Sequence, residues 1–321
     1  MISAGPFSGN IDSYASKAWR LNDQKAAFAV PFVASTQSTS SLIEPTVIPL
    51  AFTEGSLKTS AGILEGPDLT ASLLSESLEY FQKALYNFNS QYLLAKHGYQ
   101  TWAHVTNYYS SYFSVFSLLA LQGRLISRVK LNGVDSIPCL LHPIDLRNHR
   151  YILTTKGGRD PSHKLPWRQY YTIYNNYTCL RQEFEVVQLQ QHVAEPIDES
   201  ESRNKVNYNI YAGFQEIVDL TQLNFFKNQY LDALILPALG DSVDNYLAAL
   251  SALATDPNLR YFARSAIRLF LIRSIYDQIA MTNVDFRAEL AARVPIWQAT
   301  MFDNYQPKEN YYEDFVGIFL S

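Results

Sequence analysis

DLTASLLSESLEYFQKALYNFNSQYLLAKHG, residues 68–98, decides the fold class. Leu69, Leu73, Leu78, Phe81, Leu85, Phe88 and Tyr92 recur mostly three and four apart, which is one apolar stripe on a helix of period 3.6. The stripe predicts a helix of roughly eight turns. Asp68 is a candidate N-cap behind Gly66-Pro67, and His97-Gly98 ends the run.

A second stretch of the same character follows at once. Trp102, Val105, Tyr109, Tyr112, Phe116 and Leu119 predict one apolar face, and Gly123 with Arg124, Arg128 and Lys130 closes the helix. Two long helices joined by so short a loop must lie antiparallel. No formally charged residue stands between Lys96 and Arg124, a length that could span a bilayer. His97, Gln100, His104, Asn107 and four serines within it argue for a buried helix instead.

Upstream, residues 1–66 are rich in Ser, Thr, Gly and Ala, with short apolar runs such as AAFAVPFVA and TVIPLAF. They predict an irregular or short-stranded N-terminal arm, set apart from a helical domain over 67–321. Downstream, VKLNGV, IPCLL and RYILTT lean toward strand and are broken by Asn-Gly and Pro, so a small β insertion is expected at about 129–165. Helix is expected again from Tyr170 to about Gln191. AEPIDESES reads as an exposed acidic linker, and nearly everything from Asn204 onward reads as helix. The fold class expected is mainly α: an antiparallel bundle of long helices with a small β insertion.

Composition narrows the function classes. Charged residues make up 17% of the 321, and aromatics 14%, with Tyr 22 and Phe 18. Low charge with many aromatics argues for extensive buried or partner-covered surface and against disorder. A net charge of −4 gives no general attraction to nucleic acid or to an anionic membrane, so any such contact needs a local basic patch. Cys139 and Cys179 are too few for a disulfide framework or a thiolate zinc site, and they fit a reducing compartment. MISAGPFSGNIDSYASKAW lacks the basic head and apolar core of a signal peptide. A cytoplasmic protein with no membrane partner and no cofactor is expected.

The familiar catalytic signatures are missing. There is no GxxxxGK[ST], GxGxxG, GxSxG or HExxH. His142, Asp145 and His149 in HPIDLRNH are the nearest approach to a metal set. Their offsets alternate badly in an extended segment, so a metal-dependent hydrolase there is an outside reading, set against surface and hydrogen-bonding roles. Asn107, Ser110, Ser114 and Ser117 form a small polar stripe on the second helix. Small residues let a neighbouring helix approach closely, and their hydroxyls can bond carbonyls one turn back. Tight internal packing competes here with a self-association face or the wall of a polar cleft.

TNYYSSYFSVFSLLALQG, residues 106–123, resembles the paired-tyrosine, small-residue helix of the HEPN superfamily, prokaryotic all-α domains that are often toxins or defence ribonucleases. That family's hallmark is an arginine, commonly followed by a polar residue, with a histidine four to six positions later. Arg203-Asn204 in SRNKVNY is similar. The resemblance covers the first two helices and the Arg203 segment, less than half of the chain. It implies a dimer in which arginine holds a scissile phosphate and histidine assists attack by a 2′-hydroxyl, without metal.

In this sequence the histidine window holds Tyr208, Asn209 and Ile210 instead. Arginine suits phosphate because its planar fork is always charged. Tyrosine does not replace histidine simply, with a reference pKa of about 10 against about 6.5. The expected site is therefore Arg203 as phosphate contact, Asn204 as its polar support and Tyr208 as the position that decides activity. Tyr108, Tyr109 and Ser111 are expected to line the same cleft. Tyr211 joins Tyr208 as a candidate for modification by a partner nucleotidyltransferase. Arg260, Arg264 and Arg268, four apart on one helix face, are candidate RNA contacts, weighed against a plain solvated face.

Two function classes result. One is a HEPN-like RNA- or nucleotide-binding protein of a stress, defence or toxin–antitoxin system, possessing at most a degenerate metal-independent ribonuclease activity. Its expected partners are a second copy of itself, RNA or a nucleotide, and an antitoxin or nucleotidyltransferase. The other is a non-catalytic helical scaffold that assembles through aromatic-rich faces. They differ over Arg203: a ligand site needs it accessible, whereas a scaffold needs only its apolar faces.

Overall fold

The computed structural model describes residues 2–7, 14, 17–34, 38–44, 61–131, 135–155, 164–174, 198–208, 250, 252–254 and 260–302. Among these the chain is mainly helical, with one antiparallel sheet. Its elements are β1 (Ser3–Pro6), α1 (Leu21–Ala27), β2 (Ala61–Glu65), α2 (Pro67–Lys96), α3 (Gln100–Leu121), β3 (Leu125–Leu131), β4 (Asp135–Asp145), β5 (Arg150–Thr155), α4 (Lys164–Tyr174), α5 (Asp198–Tyr208), α6 (Arg260–Ala280) and α7 (Val284–Phe302).

The helix expected from the apolar stripe is α2, 30 residues long. Pro67 is its first residue, where a missing N–H costs nothing, so the cap falls two residues earlier than Asp68, at Gly66. All seven residues of the stripe are buried. Both α2 and α3 end in the same way. Gly98 N–H bonds Ala95 C=O at 2.9 Å and Tyr99 N–H bonds Leu94 C=O at 2.8 Å. Gly123 N–H bonds Ala120 C=O at 2.8 Å and Arg124 N–H bonds Leu119 C=O at 2.9 Å. This pairing is the Schellman cap, which needs a left-handed residue, and the two glycines adopt φ of 84° and 70°.

Two hydrogen bonds measure how α2 and α3 run. Ser77 and Ser117 hydroxyls lie 2.8 Å apart, and Ser110 donates to Ala84 C=O at 2.9 Å. Seven residues forward on α2 match seven residues backward on α3, so the pair is antiparallel, as the short connection requires. Ser110, Ser114 and Ser117 are wholly buried. The face predicted to be innermost is not: Trp102 is 51% exposed, and Tyr109, Tyr112 and Phe116 are half-buried, leaving only Val105 and Leu119 inside. A serine side chain lets two backbones come close, and the large rings must then sit at the flanks.

The chain divides into two compact units, and α2, α3, α6 and α7 each contribute to both. The first comprises Met1–Tyr80, Phe116–Asn176 and Ile275–Leu290. It carries the sheet, in the order β1-β2-β5-β4-β3 with every pair antiparallel. The insertion strands are thus completed by strands of the N-terminal arm, with Ile63 opposite Ile152 and Ala4 opposite Leu64. The β insertion begins at Leu125, earlier than the expected Val129, because the chain turns directly out of the Gly123 cap. Trp19, Ile43, Leu64, Leu69, Leu73, Leu125, Leu141, Leu146, Tyr151 and Leu153 form its core.

The interior of this unit also settles HPIDLRNH. His142 Nδ1 accepts from Arg124 Nη1 at 2.7 Å, while Arg124 Nη2 donates to Tyr14 C=O at 3.0 Å and Lys17 C=O at 2.7 Å. Asp145 is held by Asn148, and His149 Nδ1 lies 3.0 Å from the Thr70 hydroxyl. Among the described residues no cluster of metal-ligating side chains forms. His142 and His149 serve internal hydrogen bonds on different elements, which removes the outside metal reading.

The second unit comprises Phe81–Val115, Tyr177–Ser274 and Ala291–Ser321. Its described part holds the C-terminal half of α2, most of α3, α5, the N-terminal part of α6 and the C-terminal part of α7. Ser265 on α6 donates to Ser110 on α3 at 3.0 Å, so the serine stripe admits α6 as well as α2. Of the helix expected over Tyr170–Gln191, α4 covers Lys164–Tyr174, and the remainder lies outside the described residues.

Candidate functional site

Helix α5 is where the sequence reading is most altered. The acidic residues expected in an exposed linker form its first turn, from Asp198, so that Arg203 stands one and a half turns in. Glu199 is 4% exposed and Arg203, four residues on, is 7% exposed. An i, i+4 pair shares a helix face, so once the helix starts at Asp198 both side chains must face inward together.

Arg268 answers Glu199. Its Nη2 donates to Glu199 Oε1 at 2.6 Å with both side chains shut away from water. A buried guanidinium is tolerated only when a carboxylate and further hydrogen bonds compensate its lost hydration. The α6 arginines therefore do not form a solvated face: Arg268 is wholly buried, and Arg260 and Arg264 are half-buried beside Phe262 and Ala266, which form the core side.

Arg203 packs its guanidinium 5.0 Å above the ring of Tyr108. A cation over an aromatic face is attracted by the ring quadrupole, the more so when water is excluded. Arg203 Nε has no hydrogen-bond partner among the described residues. Tyr108 in turn meets Tyr109 edge-on at 5.5 Å and stacks on Tyr112 at 5.9 Å. The Tyr112 hydroxyl is pushed up to about 12, chiefly by burial and then by its two tyrosine neighbours.

His104 completes the corner. One of its ring nitrogens, Nε2, lies 3.0 Å from the Ser202 hydroxyl, one residue before Arg203. Its ring meets Tyr261 edge-on at 5.2 Å, and Arg260 lies over the same Tyr261 at 4.7 Å. Burial holds its pKa down at about 4, Glu199 opposing the shift and Arg260 adding to it. His104, Tyr108 and Ser111 share one side of α3, and so do Asn107 and Ser111, by spacings of three and four. Asn107 Oδ1 and Ser111 Oγ are buried with no hydrogen-bond partner among the described residues.

Of the residues expected at the site, the structure brings together Arg203, Tyr108, Arg260 and Arg268. Tyr109 touches the corner through Tyr108, and Ser111 is buried on the same side of α3. Arg264 lies between Arg260 and Arg268 on the same helix face. Asn204 faces solvent and does not support Arg203. Tyr208 is the last residue of α5, its side chain beyond what is described, and Tyr211 lies outside the described residues. Ser202, His104 and Tyr261 have no site role in the sequence reading, and Glu199, a sequence candidate to pair with Arg203, pairs with Arg268 instead. The spacing of His104 to Tyr108 and of Glu199 to Arg203 was the available signal, hidden by starting the helix too late.

Fold and site define a class: a mainly helical protein whose second unit carries a largely buried arginine–tyrosine–histidine corner beside a single buried carboxylate, Glu199, among the described residues. No family model, no curated protein and no solved structure matches the chain. Among the described residues no helix is long and apolar enough to cross a membrane.

Proposed function

We propose that the chain binds RNA or a nucleotide through this corner, with a phosphate group held by Arg203 and neighbouring α6 arginines. Arg203 carries the proposal. Its guanidinium lies 5.0 Å over the Tyr108 ring, its Nε has no hydrogen-bond partner among the described residues, and the preceding residue, Ser202, bonds His104. Phosphate oxygens match that fork, and an aromatic floor keeps the fork oriented. Arg203 is 7% exposed, which runs against the accessibility expected of a ligand site, so phosphate binding requires the corner to open. The HEPN-like resemblance of the α3 and Arg203 segments is consistent with this ligand class. It extends the proposal to a homodimer in a prokaryotic stress, defence or toxin–antitoxin setting, partnered by an antitoxin or a nucleotidyltransferase acting on Tyr208 or Tyr211. With Tyr208 in the histidine window, binding is the primary activity and cleavage at most a degenerate one.

The test uses the full chain, without metal, against total cellular RNA and a labelled single-stranded oligoribonucleotide. Wild type binds, Arg203→Ala and Arg203→Lys bind at least tenfold more weakly, and both variants keep the wild-type circular dichroism. If wild type neither binds nor cuts RNA, and does not bind adenine nucleotides, the proposal fails.

One observation favours the scaffold class as a second reading. Tyr86, Tyr99 and Trp102 are 59%, 57% and 51% exposed on α2, the α2–α3 connection and α3 in the second unit. Large exposed aromatics are favoured anchors of protein interfaces. Sedimentation of wild type against Trp102→Ala distinguishes this reading, because a scaffold dissociates on that change while RNA binding survives.

A further inference from the structure

Between Lys96 and Arg124 helix α3 contributes no charged residue, so every charge acting on His104 comes from other elements. Among the described residues these are Glu199 on α5 and Arg260 on α6, and the uncharged ring of Tyr261 closes one side. The Glu199 carboxylate is engaged by Arg268 at 2.6 Å. The Nε2 edge of His104 is satisfied by Ser202, and no described residue bonds its Nδ1 edge. His104 is half-buried.

We propose that His104 is a further ligand-binding residue of the corner, taking a proton from solvent when a phosphate group enters and donating Nδ1–H to it. The inference rests on the phosphate reading of Arg203. Its physical basis is the balance around the ring. Burial and Arg260 hold the His104 pKa down at about 4, against Glu199. An anion placed beside Arg203 offsets the positive charge of Arg260 and adds an acceptor, and both changes favour the imidazolium. Ser202 keeps the ring oriented throughout, because its hydroxyl can accept from Nε2–H as readily as it can donate to a bare Nε2. Phosphate binding then gains strength as pH falls, by linkage.

The experiment measures binding of labelled octauridylate to the full chain between pH 5.0 and 7.5. Neither its phosphodiesters nor its bases titrate in that range, so any slope belongs to the protein. Wild type binds about tenfold more tightly at pH 5.0 than at pH 7.5. His104→Gln flattens the change to within about threefold, while His97→Gln, altering an exposed histidine, keeps the wild-type slope. Circular dichroism confirms that all three remain folded at each pH. A His104→Gln profile parallel to wild type overturns the role of His104 and leaves phosphate binding standing. Absence of binding by wild type at every pH removes the Arg203 reading and this inference together.

Discussion

Arg268 on α6 and Glu199 on α5, 69 residues apart in sequence, close a 2.6 Å ion pair with almost no solvent contact. This pair fixes which face of α5 turns inward, and hence where Arg203 lies. The two positions are coupled because one helix turn separates Glu199 from Arg203 and because neither buried charge is tolerated alone.

Removing one partner should therefore cost more than removing both. Glu199→Ala is expected to destabilise the second unit by about 3–5 kcal/mol, by stranding the Arg268 guanidinium. Adding Arg268→Met should recover much of that loss. Urea unfolding of the two single variants and the double variant checks this, and an additive result would mean that the pair is not coupled.

The serine stripe makes a second prediction. Ser114 bonds the C=O of Ser110 one turn back at 2.9 Å, so Ser114→Ala loses only a local contact and should cost under about 1 kcal/mol. Ser114→Leu forces a large side chain into a fully buried position and should cost about 1–3 kcal/mol or more. Thermal unfolding of both variants tests whether close helix approach is the purpose of the stripe.

Gly123 offers a third test. A Cβ there would stand 2.7 Å from Leu146 Cδ1 and 3.3 Å from the Pro143 ring, at φ of +70°. Gly123→Ala is expected to cost about 1–3 kcal/mol, combining left-handed strain with the clash. Gly98→Ala carries the conformational part without that clash against the sheet, and should be milder.

Buried histidines predict an acid weakness. Burial, with Arg124 adding to it, holds His142 neutral down to about 3, against 6.5 for an unfolded chain. Between those values the unfolded state binds the extra proton, so stability is intact above pH 6.5 and declines as pH falls toward 3. Each such histidine contributes a slope of about 1.4 kcal/mol per pH unit. His142→Gln, which keeps an acceptor for Arg124, should flatten the pH dependence of the urea midpoint between pH 4.5 and 6.5. An unchanged slope would place the sensitivity elsewhere.

Much of the first half of the chain was legible because its signals are local. The α2 stripe, the Gly98 and Gly123 caps and the antiparallel pairing follow from helix period, glycine conformation and loop length. The α3 face was misjudged for a physical reason. Large rings look like core residues by hydrophobicity, but the closest helix contacts demand small ones. The start of α5 was misjudged because Glu199 reads as a solvent-seeking acid until Arg268 is seen against it.

The sequence by itself determined the helical class and the strand-forming insertion. Only tertiary structure decided that Arg203 lies on Tyr108, that His104 meets Ser202, and that two arm strands complete the sheet. Helix periodicity and capping act over a few residues, where chain order is enough. The corner joins α3, α5 and α6 across separations of 69 residues or more, and no local propensity encodes which buried charge will find which partner.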